Sequence, residues 1–152
     1  MHKVSLYLFY SVCFITLSLM GCSEDNDNSS PQAPDIEVDF ITTLGGSKNE
    51  SAQAVVNTTD GGYAILGHSQ SMDGDVTNKS NESYDYWVLK FDTTNQLQWQ
   101  KTYGGSDDDR GTDIIQTTDG GYAVIGKSKS GDLDVSENAG YDDFWMIKLD
   151  GN

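Results

Sequence analysis

The sequence predicts an all-β protein that contains two tandem repeats of four antiparallel strands. The heptapeptide Thr58–Ala64 recurs unchanged as Thr117–Ala123, 59 positions further along the chain. An identical segment at this distance indicates an internal repeat, and a repeat of this length is typical of stacked structural units. Apolar and polar residues alternate within each repeat, as they do in strands with one buried face. No window after residue 21 has apolar residues at helical spacing over three turns.

The similarity between the repeats extends well beyond the heptapeptide. Gly45-Gly46-Ser47 recurs as Gly104-Gly105-Ser106 at the same offset, whereas segment 85–92 aligns with segment 143–150 at an offset of 58. One residue is therefore missing from the second loop, and a length change at that place is typical of a surface loop. These offsets place the first repeat at residues 36–92 and the second repeat at residues 93–152.

Each repeat contains four segments with the character of strands. Apolar residues recur at every second position in the first segment, and β-branched and aromatic residues are concentrated in the other three. The four strands are predicted at 38–44, 54–57, 63–66 and 86–91 in the first repeat, and at 97–103, 113–116, 122–125 and 144–149 in the second.

Two details indicate how the strands are arranged. Asp-Gly-Gly separates the second strand from the third in both repeats, and because glycine accepts positive φ, each of these segments predicts a tight hairpin. In the fourth strand, Trp87, Leu89 and Phe91 of the first repeat share one face, as do Trp145, Ile147 and Leu149 of the second, and the other face is also fairly apolar. This strand is therefore expected inside the stack.

Repeated units of four antiparallel strands predict the blades of a β-propeller. Propellers close with about 4–8 blades, whereas this chain has two repeats. Three interpretations remain open. The chain is a piece of a longer array, or copies of it associate into a ring, or its two sheets pack as a small sandwich. A truncated array or an open stack of two blades is the favoured interpretation.

The repeats carry the patterns T-x-D-G-G-Y-x-x-x-G, D-G-D-V, D-Y-W-V-x-K-x-D and x-W-x-K-x-Y-G-G. In these patterns the chain resembles the β-propeller-like repeats of secreted and surface lipoproteins of Bacteroidota, some of which are described as bulb-type-lectin-like or endoglucanase-like. The resemblance covers residues 36–150 and implies a surface location. It does not fix an activity, and the mannose-binding signature Q-x-D-x-N-x-V-x-Y of bulb-type lectins is absent.

The first 21 residues have the pattern of a lipoprotein signal peptide. Lys3 precedes an apolar run at 4–20, and the segment ends in Leu19-Met20-Gly21-Cys22. This ending resembles the bacterial lipobox, which implies that Cys22 becomes the acylated N-terminus of the mature chain, with palmitate as an expected modification. A transmembrane anchor is the alternative, although an apolar run of this length is at the lower limit for a span.

Residues 22–35 are predicted to form a flexible tether, because they are polar and contain two prolines. Serine rather than aspartate follows Cys22, which by resemblance to known sorting rules favours the outer membrane. The acidic stretch 23–27 resembles the export signal of surface-exposed lipoproteins. The net charge of −15 excludes nucleic acid as a partner, because phosphate would be repelled. Because Cys22 is expected to carry the lipid, the membrane is the first predicted partner. A glycan or a protein is the second.

The loops 68–84 and 127–142 are the best candidates for binding, because they are polar and lie at the same edge of each repeat. They contain the carboxylate pairs Asp73/Asp75 and Asp132/Asp134, which are predicted as calcium ligands because calcium prefers oxygen donors. Asp85, Asp142 and Asp143 could add to these sets. The alternative role of these residues is to form turns by bonding to nearby backbone.

The sequence predicts no catalytic residues. His68 is the single histidine after residue 21, there is no cysteine nucleophile after Cys22, and a G-x-S-x-G motif is absent. Trp87, Trp99 and Trp145 could stack on sugars but are expected in the core. The predicted function is a non-catalytic binding or structural module at the cell surface. The alternatives are a glycoside-hydrolase-like enzyme and a remnant of a longer repeat protein.

Overall fold

The computed structural model describes residues 34–151, and this part of the chain contains no helix. Seven strands form two antiparallel sheets, which confirms the predicted all-β fold with two successive sheets. The first sheet has the order β1-β2-β3-β4 and the second has the order β5-β6-β7. The strands are β1 Glu50–Asn57, β2 Tyr63–Ser69, β3 Asp85–Phe91, β4 Leu97–Tyr103, β5 Asp109–Gln116, β6 Tyr122–Ser128 and β7 Asp143–Leu149.

Both predicted Asp-Gly-Gly hairpins are present. Between β1 and β2, the N–H of Thr58 donates to the carbonyl oxygen of Gly62 at 2.9 Å, and Gly61 has a φ of 87°. The equivalent turn between β5 and β6 places Gly120 at a φ of 83°. Residues with a Cβ rarely adopt this conformation, so the glycine in each heptapeptide is what allows the strand to reverse so tightly.

The strand β3 is the most buried element of the first sheet. It lies between β2 and β4, and each of its seven residues is buried. Val88 points toward the second sheet, whereas Trp87 and Leu89 belong to an apolar cluster on the opposite face. The prediction that the fourth strand lies inside the stack is therefore confirmed for the first repeat. It is wrong for the second, because β7 is an edge strand that exposes Phe144 and Met146.

The first strand of each repeat differs from the prediction. Segment 97–103 is a strand, but as β4 it pairs with β3 of the first sheet, with Tyr86 opposite Tyr103. The equivalent segment 38–44 is not in a strand in the described part of the chain. An alternating pattern reveals a buried face but not the neighbour that a strand pairs with. The boundary between the sheets therefore falls one strand after the boundary between the sequence repeats.

The two sheets pack face to face around one apolar core. Tyr86 of β3 is fully buried there, its ring centroid lies 4.8 Å from that of Trp145, and its hydroxyl donates to the Trp145 carbonyl oxygen at 3.2 Å. We call this contact the inter-sheet interface. The first sheet contributes Ala64, Leu66, Tyr86 and Val88, and the second sheet contributes Ile114, Tyr122, Val124 and Leu149.

A glycine in β5 allows the sheets to approach closely. The pairing of β1 with β2 and the pairing of β5 with β6 each shift register at the same repeat position, next to Ala52 and Gly111. A Cβ at Gly111 would lie 2.7 Å from Cδ1 of Leu66, which is fully buried in the other sheet. Glycine at this position is thus a requirement of the inter-sheet interface and not of the strand itself.

Replacing Gly111 with alanine is expected to lower the free energy of unfolding by roughly 1–3 kcal/mol, because overpacking of a core forces side chains from their preferred positions. The measurement is chemical denaturation followed by tryptophan fluorescence. Gly131→Ala is the matched control, since its Cβ would meet no atom nearer than Cβ of Asn138 at 3.9 Å. Equal losses of stability in the two variants would contradict this account of Gly111.

Candidate functional site

The carboxylates predicted as calcium ligands lie at the edge of the sheets where the chain enters β1 and β5. In the first repeat, the N–H of Ser47 donates to Oδ1 of Asp73 at 2.8 Å, and the N–H of Gly45 donates to Oδ2 of Asp75 at 3.0 Å. The bond from Ser47 lowers the pKa of Asp73. Both carboxylates therefore hold the Gly-Gly-Ser segment that leads into the sheet.

The second repeat has the same arrangement. The N–H of Ser106 donates to Asp132 at 2.8 Å, and the N–H of Gly104 donates to Asp134 at 3.2 Å. A Cβ at Gly105 would lie 2.4 Å from Cβ of Ser130, so the loop packs directly on the glycine. We call segments 45–47 and 104–106, with the carboxylates that bind them, the two loop junctions.

A further carboxylate completes each loop junction, and the sequence analysis missed it. The N–H of Gly105 donates to Asp109 at 2.7 Å, and Oγ of Ser130 donates to the same carboxylate at 2.8 Å. Glu50 has the equivalent role in the first repeat, where it accepts a bond from Oγ of Ser69 at 2.8 Å. Glu50 and Asp109 are 59 positions apart, so the repeat alignment carries the signal that identifies them.

These contacts give the predicted calcium ligands a different partner. The oxygens of Asp73, Asp75, Asp132 and Asp134 accept bonds from backbone N–H groups, and residues 34–151 contain no group of three or more acidic, histidine or cysteine side chains suited to a metal ion. The three additional acidic residues bind elsewhere: Asp85 to Lys79, Asp142 to Lys127 and Asp143 to the Ala139 N–H. Calcium binding by the four carboxylates stays a prediction.

A small polar cavity of about 200 Å³ lies beside the second loop junction. Asp85 lines it and forms an ion pair with Lys79 at 2.9 Å, in which the side chain of Lys79 is fully buried. Burial raises the pKa of Asp85 to about 6, and the nearby charge of Asp109 adds to the effect. The cavity is lined by Asn78, Ser80, Asn81, Asp85, Thr102, Gly104, Leu133 and Asp134.

This polar cavity could hydrogen-bond a small polar ligand, but it lacks the groups of a typical hydrolytic site. A glycoside hydrolase uses two carboxyl groups, one of which acts as an acid and the other as a nucleophile or base. Asp85 has the raised pKa of an acid, yet it is paired with Lys79. Asp134, the other carboxylate of the cavity, accepts the N–H of Gly104. Both side chains therefore already have structural partners.

The face of the first sheet that points away from the second sheet carries an apolar cavity of about 260 Å³. The rings of Tyr63 and Phe91 are stacked in its wall, with centroids 5.0 Å apart, and Nε1 of Trp87 donates to Gln100 at 2.6 Å. We call this surface the outer face of the first sheet. Its cavity is lined by Thr42, Leu44, Glu50, Ser51, Ala52, Tyr63, Ile65, Gly67, Trp87, Leu89 and Phe91.

The tryptophans and the histidine serve as packing groups. Trp99 and Trp145 pack against the inter-sheet interface, and Trp87 is buried in the outer face of the first sheet. His68 lies edge-on to the ring of Tyr84, with centroids 5.2 Å apart. Burial lowers the pKa of His68, so its imidazole is neutral at pH 7.

No family model matches this chain, and searches of the curated proteins and of the solved structures also give no match. Within residues 34–151, no helix is long and apolar enough to cross a membrane. The signal peptide 1–21, Cys22 and most of the tether 22–35 lie outside the described residues.

Melting experiments can distinguish whether the loop-junction carboxylates hold the backbone N–H groups or bind calcium. Asp132→Ala removes the acceptor for the Ser106 N–H, so it is expected to lower the melting temperature by a few degrees, which corresponds to roughly 1 kcal/mol for a hydrogen bond. The decrease should be the same in calcium and in EDTA. Glu137→Ala, which removes an exposed carboxylate from the same loop, is the control. Stabilisation by calcium that is lost in the Asp132 variant would instead support calcium binding.

The buried Asp85 predicts a loss of stability as the pH rises from about 4 to about 6. Its ordinary pKa of 3.8 applies in the unfolded chain, whereas its pKa in the folded chain is about 6, so between these values the folded state retains a proton that the unfolded state releases. Asp85→Asn stays neutral and is expected to remove this part of the pH dependence of the melting temperature.

Asp142→Asn is the matched control for that experiment. Asp142 forms an ion pair with Lys127 at 3.0 Å, but both side chains are about half exposed. Loss of the Asp142 charge should leave the pH dependence of the melting temperature close to that of the unaltered protein. Melting curves of Asp85→Asn that follow the unaltered protein at every pH would show that Asp85 does not titrate in this range.

Proposed function

We propose that this chain is a non-catalytic interaction module that a lipid on Cys22 holds at the outer membrane or the cell surface. The observation that carries the proposal is apolar surface on the two sheet faces that the inter-sheet interface does not use. One is the outer face of the first sheet, where Trp87, Leu89 and Phe91 are buried and a cavity of about 260 Å³ is open. The other is the far face of the second sheet, where Phe144 is 73% exposed and Met146 is 59% exposed. Contiguous apolar surface of this kind is typical of protein–protein contacts.

The sequence supports the location. A basic start, an apolar core and the ending Leu19-Met20-Gly21-Cys22 are the features of a lipoprotein leader. Two or more acyl chains hold a protein stably on a bilayer, whereas one does not. The polar segment that follows would separate the folded part from the membrane surface, and the net charge of −15 would keep the domain away from anionic lipid.

The side-chain contacts support a role without catalysis. Asp73, Asp75, Asp132 and Asp134 bind backbone N–H groups, and Asp85 is paired with buried Lys79. A general acid or base must instead reach its substrate within hydrogen-bonding distance and exchange a proton with it. Carboxylates that hold the loops together serve the shape of the domain, as expected for a module that binds partners.

The lipid anchor is tested by replacing Cys22 with alanine in the full-length chain. Cells that are fed an alkyne analogue of palmitate should label the unaltered protein, and the Cys22→Ala variant should carry no label and leave the outer-membrane fraction. Cys13→Ala is the matched control, because this second cysteine lies within the predicted leader and should not affect labelling. A labelled Cys22→Ala variant would contradict the anchor.

The non-catalytic role is tested on a panel of polysaccharides. No release of reducing ends is expected from the unaltered protein. Hydrolysis that Asp85→Asn abolishes, and that Asp142→Asn leaves unchanged, would favour the glycoside-hydrolase-like alternative. The two variants remove equal charge from the same edge of the protein, so a difference between them would locate the chemistry in the polar cavity.

A further inference from the structure

By repeat equivalence, the outer face of the first sheet and the far face of the second sheet match the two halves of the inter-sheet interface. On the outer face of the first sheet lie Tyr63, Ile65, Trp87, Leu89 and Phe91. Their repeat equivalents Tyr122, Val124, Trp145, Ile147 and Leu149 are the residues that the second sheet contributes to the inter-sheet interface.

The reverse relation holds for the far face of the second sheet. The first sheet presents Tyr86 and Val88 to the inter-sheet interface, and both are fully buried. Their repeat equivalents Phe144 and Met146 are large, apolar and mostly exposed. The second sheet therefore exposes a face of the kind that the first sheet buries. On the outer face of the first sheet, Trp87, Leu89 and Phe91 are buried in one cluster with Val76, and the opening is the cavity of about 260 Å³.

We infer that a second copy of this chain binds by placing the far face of its second sheet on the outer face of the first sheet. This inference rests on the proposed interaction module and names its partner. The contact joins two different surfaces, so it is heterologous and leaves one free face of each kind after every addition. Such contacts generate rings when the rotation closes, and open chains when it does not. About 4–8 blades close a propeller, which corresponds to two to four copies.

The inter-sheet interface shows how the new contact would fit. Tyr86 packs on Trp145. A Cβ at Gly126 would lie 2.5 Å from the hydroxyl oxygen of Tyr86, so the Tyr86 side chain occupies the space above this glycine. The equivalents on the outer face are Trp87 and Gly67, and both line the open cavity of about 260 Å³. Phe144 of the second copy has the ring that this cavity would accept, and it lacks the hydroxyl that would need an acceptor there.

A strand exchange would complete the same contact. Segment 97–103 forms β4 and pairs with β3, so that Lys101 lies opposite Val88. The equivalent of β3 is β7, which has β6 as its single neighbour among the described strands. The equivalent of β4 is segment 38–44, which is exposed up to Thr43 and lies in no sheet. Addition of a free segment to a sheet edge is a common mode of recognition. Thr42 of one copy would lie opposite Met146 of the other.

The first loop junction is already set for this exchange. The N–H of Ser47 bonds to Asp73 at 2.8 Å, and the N–H of Ser106 bonds to Asp132 at 2.8 Å, so the chain enters both sheets in the same way. At the second loop junction the preceding segment belongs to the neighbouring sheet, as β4. At the first loop junction the preceding segment 38–44 leads into its sheet in the same way, but it is part of no sheet in the described chain.

The inference is tested by cysteine cross-linking of the full-length protein in its native membrane. Thr42→Cys with Met146→Cys in one chain should give, after mild oxidation, a ladder of bands at whole multiples of the chain mass on a non-reducing gel. The highest band gives the number of copies in a ring. Thr42→Cys with Lys148→Cys is the matched control. Lys148 is the repeat equivalent of Lys90, which pairs with Trp99, so Lys148 would lie opposite Phe40, two residues from Thr42. Diagonal pairs of this kind are too far apart for a disulfide.

Phe144→Asp should abolish the ladder, because it would place a charge in the apolar cavity. Tyr141→Asp, at a residue that is 94% exposed, should leave the ladder intact. Both variants should keep the circular-dichroism spectrum of the unaltered protein. A ladder no stronger than that of the out-of-register pair, or bands that are not multiples of the chain mass, would overturn the inference. Palmitate labelling at Cys22 is independent of these results, so its failure would count against the proposed function alone.

Discussion

The fold depends on the packing of unlike faces of two similar sheets. The first sheet presents Tyr86 and Val88, and the second presents Tyr122 and Val124, so each sheet uses one of its two apolar sides. Because both sheets have apolar residues on both sides, one packed pair cannot cover all of this surface. In a protein with a polar outer face, two sheets are enough to complete a core. Here the same contact leaves Phe144 and Met146 exposed on the far face of the second sheet, and it leaves a cavity of about 260 Å³ on the outer face of the first.

The loop junctions supply the second constraint, and they compensate for the absence of cross-links. After residue 33 the chain has no cysteine, so no disulfide can fix its loops. The carboxylates of Glu50, Asp109 and the paired aspartates instead accept bonds from backbone N–H groups of the Gly-Gly-Ser segments. Hydrogen bonds to charged groups are stronger than neutral ones. Many of the acidic residues that dominate the composition therefore hold the loops at one edge of the sheets.

The sequence predicts the fold class and the strands well, because the signals are local. Alternation in 97–103 and the glycines of the hairpins each depend on neighbouring residues. Pairing is not local, so the sequence groups β4 with the second repeat, whereas the structure pairs it with β3 of the first sheet. For the candidate site, the loop edge and Asp73, Asp75, Asp132 and Asp134 could be identified, but not the groups that they bind. A carboxylate in a loop has the same sequence signature whether it binds a cation or a backbone N–H. The raised pKa of Asp85 comes first from burial and then from the charge of Asp109, which is distant in the sequence, and neither is a local signal.

The offset of one strand between repeat and sheet affects how the chain can be divided. The turn 92–96 separates the two sequence repeats, yet it joins β3 to β4 within one sheet, where the Asp92 N–H bonds to the Gln96 carbonyl oxygen at 3.0 Å. A protease that cut this turn would leave β4 hydrogen-bonded along β3 while still covalently attached to β5. The two fragments would then remain together, and neither sequence repeat would be a separable folding unit.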